Sequence, residues 1–249
     1  MNSLLSLKDK RLLVTGASSG IGRSIAIECS RLGASVIIVG RNNDRLQETY
    51  NQLSPQTGNL FVEADLTVKE DLEKLVSIAK NLDGVALCAG KGLTMPVAFS
   101  SREKMDELFD INFFSTVELI RQLYKKKCIN PNASIVAISS IGGTRFFGGN
   151  NSIYGASKAA LSSFMKFCAK EFSARKIRVN TICPGMVDTP FIHRGTITDE
   201  QLEKDAGSYP LGRYGKPEDI AYMAVFLLSD LSSWTTGQEF VIDGGLSIR

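Results

Sequence analysis

The chain has 249 residues, 43% hydrophobic and 22% charged, enough to bury a sizeable core in one large α/β unit or two small ones. A net charge of +3 lacks the dense cationic face of a nucleic-acid binder, and Lys125, Lys126 and Lys127, the one basic run, read as a solvated helix end. The single histidine, His193, cannot supply the two histidines of an H-E-x-x-H zinc site, so no metal is expected.

The opening MNSLLSLKDK is too short in apolar residues for a secretory core, and no apolar run approaches the ~20 residues that cross a bilayer. Five cysteines (Cys29, Cys88, Cys128, Cys168, Cys183) are scattered without a C-x-x-C pair and read as buried thiols in a reducing compartment. A soluble cytoplasmic protein with neither nucleic acid nor membrane as partner is the expectation.

In chain order, RLLVT (11–15), SVIIV (35–39), NLFVE (59–63), GVALC (84–88), SIVAIS (134–139), IRVNTI (177–182) and EFVID (239–243) read as strands. Segments of helical length separate the early ones, among them Ile21–Leu32, Asn42–Leu53 and Val68–Asn81. Strand, crossover helix, strand predicts a single doubly wound α/β domain over 1–249, a parallel seven-stranded sheet with helices on both faces. Only 186–215 breaks the rhythm, and a connection of that length is expected to be a functional, substrate-facing loop.

The first strand runs into TGASSGIG, with Gly16, Gly20 and Gly22 ahead of a helix. Glycine lets a ligand approach the backbone, and the helix N-terminus offers free N–H groups, so the turn suits a dinucleotide pyrophosphate. No Lys-Ser or Lys-Thr follows the last glycine, which argues against a nucleotide-triphosphate loop. At the end of the second strand, where NAD-binding folds carry an acid, stand Gly40 and Arg41. An arginine pairs with a 2′-phosphate, so NADP(H) is predicted; the other reading is an arginine that caps the strand end in solvent.

Ser139 and Ser140 close the strand SIVAIS at the carboxyl edge, and the loop GGTRFFGG leads to YGASK. Tyr154 and Lys158 are spaced i, i+4, on one face of a helix, and an ammonium beside a phenol lowers the phenol's pKa. Tyr154 is then a candidate proton donor or acceptor, and a strand-end hydroxyl can hold the reacting oxygen.

TGASSGIG, the strand-end serine, Y-x-x-x-K, CPGMVDT (183–189) and GQEFVIDGG (237–245) together resemble the short-chain dehydrogenases/reductases, from about Lys8 to Gly245. The resemblance implies Tyr154 as general acid/base, Lys158 as the lysine that lowers its pKa and holds the nicotinamide ribose, and Ser140 rather than Ser139 at the substrate oxygen. It further implies Asn112 in a proton relay. For the cofactor it implies Ser18, Ser19 and Ile21 in the glycine-rich turn, Arg41 at the 2′-phosphate, Asp65 and Leu66 around the adenine, and Ala89 and Gly90 at the ribose. Pro184, Gly185, Val187 and Thr189 would meet the nicotinamide amide. Where the family reads N-N-A-G, this chain reads Leu87-Cys88-Ala89-Gly90, a departure that bears on packing and cofactor affinity.

Such a chain would transfer hydride between NADPH and a carbonyl carbon. The leading substrate class is a 3-oxoacyl thioester, by resemblance to the 3-oxoacyl-acyl-carrier-protein reductases, with Arg175 and Lys125–Lys127 as cations for an acidic carrier. The alternatives are a free ketone or alcohol of steroid, sugar or quinone type, and an idle NADPH-binding interaction protein. Phe146 and Phe147 read either as core under their loop or as an apolar pocket wall, and Met186, Phe191, Ile192 and Leu211 make the long loop partly apolar. The resemblance also implies a homotetramer.

Overall fold

The computed structural model describes residues 5–190, 192–194 and 198–248. Its elements are β1 (Arg11–Thr15), α1 (Gly20–Arg31), β2 (Ser35–Gly40), α2 (Asn43–Tyr50), β3 (Leu60–Glu63), α3 (Lys69–Ile78), β4 (Leu82–Leu87) and α4 (Arg102–Phe109), followed by α5 (Ser115–Lys125), β5 (Ile129–Ile138), α6 (Ser152–Phe172), β6 (Arg178–Pro184), α7 (Asp199–Ala206), α8 (Pro217–Leu228) and β7 (Glu239–Ile242). The strands form one parallel sheet in the order β3-β2-β1-β4-β5-β6-β7, as the strand–helix alternation predicts.

The period-two geometry of a strand sends successive side chains to opposite faces. In β1, Leu13 joins one core with Leu72 and Leu75 of α3, Leu119 and Leu123 of α5, and Leu161 and Met165 of α6. Its neighbours Leu12 and Val14 enter a second core with Ile25 of α1, Leu46 of α2, and Ile220, Ala224 and Leu228 of α8. Burial on both faces explains why the strands read as unbroken apolar runs.

Strand order reverses between β1 and β4, and open α/β sheets bind ligands at the carboxyl ends of the strands flanking such a point. Thr15 at the end of β1 ties that edge together: its Oγ1 accepts from the Cys88 and Ala89 amides at 3.0 and 3.3 Å. The 186–215 segment is less irregular than expected. It contains α7, whose start is closed by a reciprocal Thr198–Gln201 capping box, and a bridge between Val187 and Gly215 draws its two ends together. Among the described residues no helix is long and apolar enough to cross a membrane.

Candidate active site

The glycine-rich turn is built by close approach. A Cβ on Gly16, which has φ +65°, would lie 2.9 Å from the Cys88 and Ala89 backbone, and one on Gly22 would lie 2.4 Å from the Gly16 carbonyl oxygen. Gly20 (φ +54°) faces the Thr189 side chain, which brings the segment after β6 against the turn. Ser19 occupies the N-cap position of α1, yet its hydroxyl makes no capping bond. Among the described residues the amides of Ser18, Ser19, Gly20 and Ile21 donate to no acceptor. Four orphan donors at a helix start, over a floor that excludes side chains, fit the pyrophosphate of a dinucleotide.

At the end of β2, Gly40 packs against the Ser18 side chain, and the next residue, Arg41, reaches the Asp65 carboxylate at 3.5 Å. Burial works to raise the Asp65 carboxyl, but hydrogen bonds from Thr67 and the Arg41 guanidinium outweigh it and hold the group below its usual range. The Arg41 side chain itself stays largely exposed. Leu66, beside Asp65, packs on the core.

The two serines at the end of β5 separate by role. Ser139 is buried; its hydroxyl donates to the Lys158 carbonyl at 2.8 Å, and the Ser162 hydroxyl lies 2.8 Å from it. Ser140 accepts from the Gly142 amide at 3.0 Å and hydrogen-bonds the Tyr154 phenol. Of the two serines, Ser140 is the one beside Tyr154.

Tyr154 and Lys158 lie on α6, one turn apart. Lys158 is 5% exposed, its Nζ donates to the Ile138 carbonyl at 2.9 Å, and burial brings its pKa down to about 8 against the weaker opposing pull of Cys88 and Cys183. Burial raises the Tyr154 phenol and the Ser140 hydrogen bond draws it partly back, while the Lys158 ammonium donates to the Ile138 carbonyl. A Cβ on Gly90 would lie 3.2 Å from both Lys158 Nζ and Asn112 Oδ1, so a side chain there would press on both groups.

Asn112 is fully buried in a π-helical turn, Asp110–Phe114, between α4 and α5. Its side chain accepts from the Lys91 amide at 2.7 Å and donates to the Lys91 carbonyl and Ser157 Oγ at 2.9 and 3.1 Å. It thereby links the strand-end segment at Gly90 to the neighbour of Lys158. Cys88 supplies its amide to Thr15, and burial pushes its thiol up to about 12 despite the nearby Lys158 charge.

After β6, the Pro184 carbonyl accepts from the Ile141 amide and the Gly185 amide donates to Ile242, both at 3.0 Å. Thr189 Oγ1 bonds the Val187 carbonyl at 3.3 Å. Gly16 to Gly22, Arg41, Asp65, Ala89, Gly90, Asn112, Ser140, Tyr154, Lys158 and Pro184 to Thr189 thus line the same carboxyl edge of the sheet.

The chain matches the family model described as enoyl-(acyl carrier protein) reductase over residues 16–247. It is 35% identical over 244 residues to the 3-oxoacyl-[acyl-carrier-protein] reductase FabG of Rickettsia conorii, covering 98% of this chain and 99% of that one. The chain belongs to the short-chain dehydrogenase/reductase family. Within that family it is also 32% identical to FabG of Thermotoga maritima over 249 residues, 98% of this chain and all of that one. Among solved family structures, a short-chain type dehydrogenase/reductase from Mycobacterium ulcerans superposes with TM-score 0.87 at 33% identity over 98% of this chain and 92% of that one. Levodione reductase superposes with TM-score 0.88 at 26% identity, covering 97% and 98%.

Phe146 and Phe147 are not core: the second is 81% exposed, on the loop between β5 and α6. Arg175 and Lys125–Lys127 sit at the C-terminal ends of α6 and α5, which run against the strands, so they lie at the amino edge of the sheet, opposite this chain's own site. Arg175 is engaged there, donating to the Ile129 carbonyl at 2.6 Å with its guanidinium over the Tyr124 ring. In the long loop, Met186 packs with Ile141 and Tyr209 while Leu211 is exposed; Phe191 lies outside the described residues.

Proposed function

We propose that this chain is an NADPH-dependent reductase that converts a carbonyl group, foremost that of a 3-oxoacyl thioester, to an alcohol. The observation that carries the reading is the hydrogen-bonded pair Ser140 and Tyr154 at the carboxyl end of β5, one helical turn from a buried lysine beside Gly90. A nicotinamide dinucleotide held by the glycine-rich turn, Arg41 and the 184–189 segment would supply the hydride. Ser140 and Tyr154 hold the carbonyl oxygen between two hydroxyls, and Tyr154 gives its proton to that oxygen as negative charge develops. Burial keeps the phenol protonated, which suits a general acid and the reductive direction. Lys158 and Asn112 brace the floor under that pair.

For the 2′-phosphate the proposal rests on Arg41, which lies 3.5 Å from the Asp65 carboxylate. Arg41→Ala is expected to weaken NADPH binding about 10- to 100-fold and leave NADH binding nearly unchanged, the range for losing a charged hydrogen bond. Fluorescence titration with each cofactor checks this; equal losses for both would show that Arg41 meets no phosphate.

The thioester class is supported by the names of the FabG relatives. A free ketone is the second reading, favoured by the absence of Arg175 and Lys125–Lys127 from this chain's own site, by the exposed apolar side chains of Val97, Phe99, Phe147 and Leu211 on flanking loops, and by the likeness to levodione reductase. Comparing turnover of acetoacetyl-carrier protein, acetoacetyl-CoA and a panel of cyclic ketones decides between them. Preference for the thioesters upholds the first reading, and turnover of ketones alone replaces it with the second.

Two apolar faces support the proposed homotetramer: Phe114 with Phe167 beside α5 and α6, and Tyr222, Trp234, Val241 and Ile248 near α8 and β7. Trp234 is 99% exposed, so Trp234→Asp costs the single chain little. Light scattering should find a tetramer in the parent and a smaller species in the variant; a monomeric parent would refute the assembly. A cytoplasmic location belongs to the same reading.

A further inference from the structure

One residue past the last glycine of the turn, Arg23 projects from α1 toward α2. Its Nη2 donates to the Ser18 carbonyl at 2.8 Å and to the Arg45 carbonyl at 3.3 Å, and pairs with Glu48 at 3.0 Å. Its Nε donates to Thr49 Oγ1 at 2.9 Å. The Thr49 side chain, fully buried, lies with its one proton between the Ala17 carbonyl at 2.9 Å and the Arg45 carbonyl at 3.0 Å. On the other side of the turn, the Ala17 amide is tied to the Val39 carbonyl at 3.0 Å, and the Ser18 side chain packs on Gly40, next to Arg41.

A trans peptide is planar, with its N–H opposed to its C=O, so fixing a carbonyl fixes the direction of the following amide. Thr49 holding the Ala17 carbonyl sets the Ser18 N–H, and Arg23 holding the Ser18 carbonyl sets the Ser19 N–H. Those are two of the four amides that find no acceptor among the described residues. We infer that Arg23 and Thr49 are positioning residues for the dinucleotide: from α1 and α2 they pin the two carbonyls whose peptide planes aim the Ser18 and Ser19 amides, and they hold Ser18 against the base of Arg41. This rests on the cofactor reading above and deepens it, since neither residue is placed in contact with the ligand itself.

The test uses Thr49→Val, which keeps shape and loses the hydroxyl, Thr49→Ser, which keeps the hydroxyl, and Arg23→Met. The dissociation constant for NADPH is read by fluorescence titration, with the melting temperature of the apo protein and the KM and kcat of the loaded enzyme alongside. Thr49→Val and Arg23→Met are expected to weaken NADPH binding about tenfold, the loss falling on the cofactor KM rather than on kcat, with Thr49→Ser within about twofold of the parent. Unchanged dissociation constants in Thr49→Val and Arg23→Met would overturn the inference. So would a Thr49→Ser as impaired as Thr49→Val, or a fall in kcat matching the loss of affinity, since either marks general loosening. If Thr49→Val does not fold, Arg23→Met, on a partly exposed side chain, decides alone. A parent that binds NADH in preference to NADPH fails the cofactor reading instead, and the variants are then scored on NADH.

Discussion

Tyr154→Phe is expected to reduce turnover by about 10²- to 10⁴-fold, the usual contribution of a positioned general acid, while NADPH still binds and the melting temperature stays close to that of the parent. The ring remains to fill its place on α6, and the substitution removes the phenol hydroxyl together with its bond to Ser140. The pH dependence carries the sign of the same assignment. A general acid acts while protonated and is lost as pH rises through its pKa. Burial raises the Tyr154 phenol beyond what the Ser140 bond restores, so reduction should hold steady between about pH 6 and 8, and alcohol oxidation should climb at alkaline pH. A reductive profile that already falls near neutrality would mean that the phenol is lowered in the working enzyme. Equal loss of cofactor binding and turnover in Tyr154→Phe would make the residue structural.

Gly143→Ala should be the most damaging single methyl in the substrate-side loop. Gly143 sits at φ +87°, and a Cβ there would lie 2.2 Å from the carbonyl oxygen of Gly155, the residue after Tyr154. Both partners are backbone, so the loop must move away from α6. Overpacking of this kind costs about 1–3 kcal/mol, and a left-handed alanine adds about 1–2 kcal/mol. The melting temperature should fall by roughly 5–15 °C for a chain of this size. Because the same loop carries Ser140, activity should drop further than stability alone explains. Thermal melts and steady-state rates check both parts, and a Gly143→Ala protein with parental melting and rate would contradict the close approach.

Much of this was legible in the residues. The strands showed themselves because sheet burial on both faces demands unbroken apolar runs, and the glycine-rich turn because Gly16 and Gly22 admit no Cβ. The i, i+4 spacing placed Tyr154 and Lys158 on one helical face, since that relation is local. What depended on tertiary direction did not show. Lys158 turns its ammonium to the Ile138 carbonyl, and Arg175 is drawn to Ile129, choices that spacing cannot reveal. Thr49 carries no motif at all: its bond to Ala17 joins residues 32 apart, and only the packing of α2 beside the turn creates it. Arg23, directly after the glycine motif, was the one available hint of that strut. Phe147 could be read as core or as pocket wall from its apolar loop alone, and its 81% exposure shows that the loop does not bury the ring.

The most direct measurement follows absorbance of the reduced cofactor when purified protein is given acetoacetyl thioester with NADPH, and in parallel with NADH at the same concentration. The account predicts consumption of NADPH, slower consumption of NADH, and none of either with Tyr154→Phe. Tight NADPH binding without consumption, for the thioester and for the ketone panel alike, would contradict it and leave a dinucleotide-binding protein that performs no carbonyl reduction.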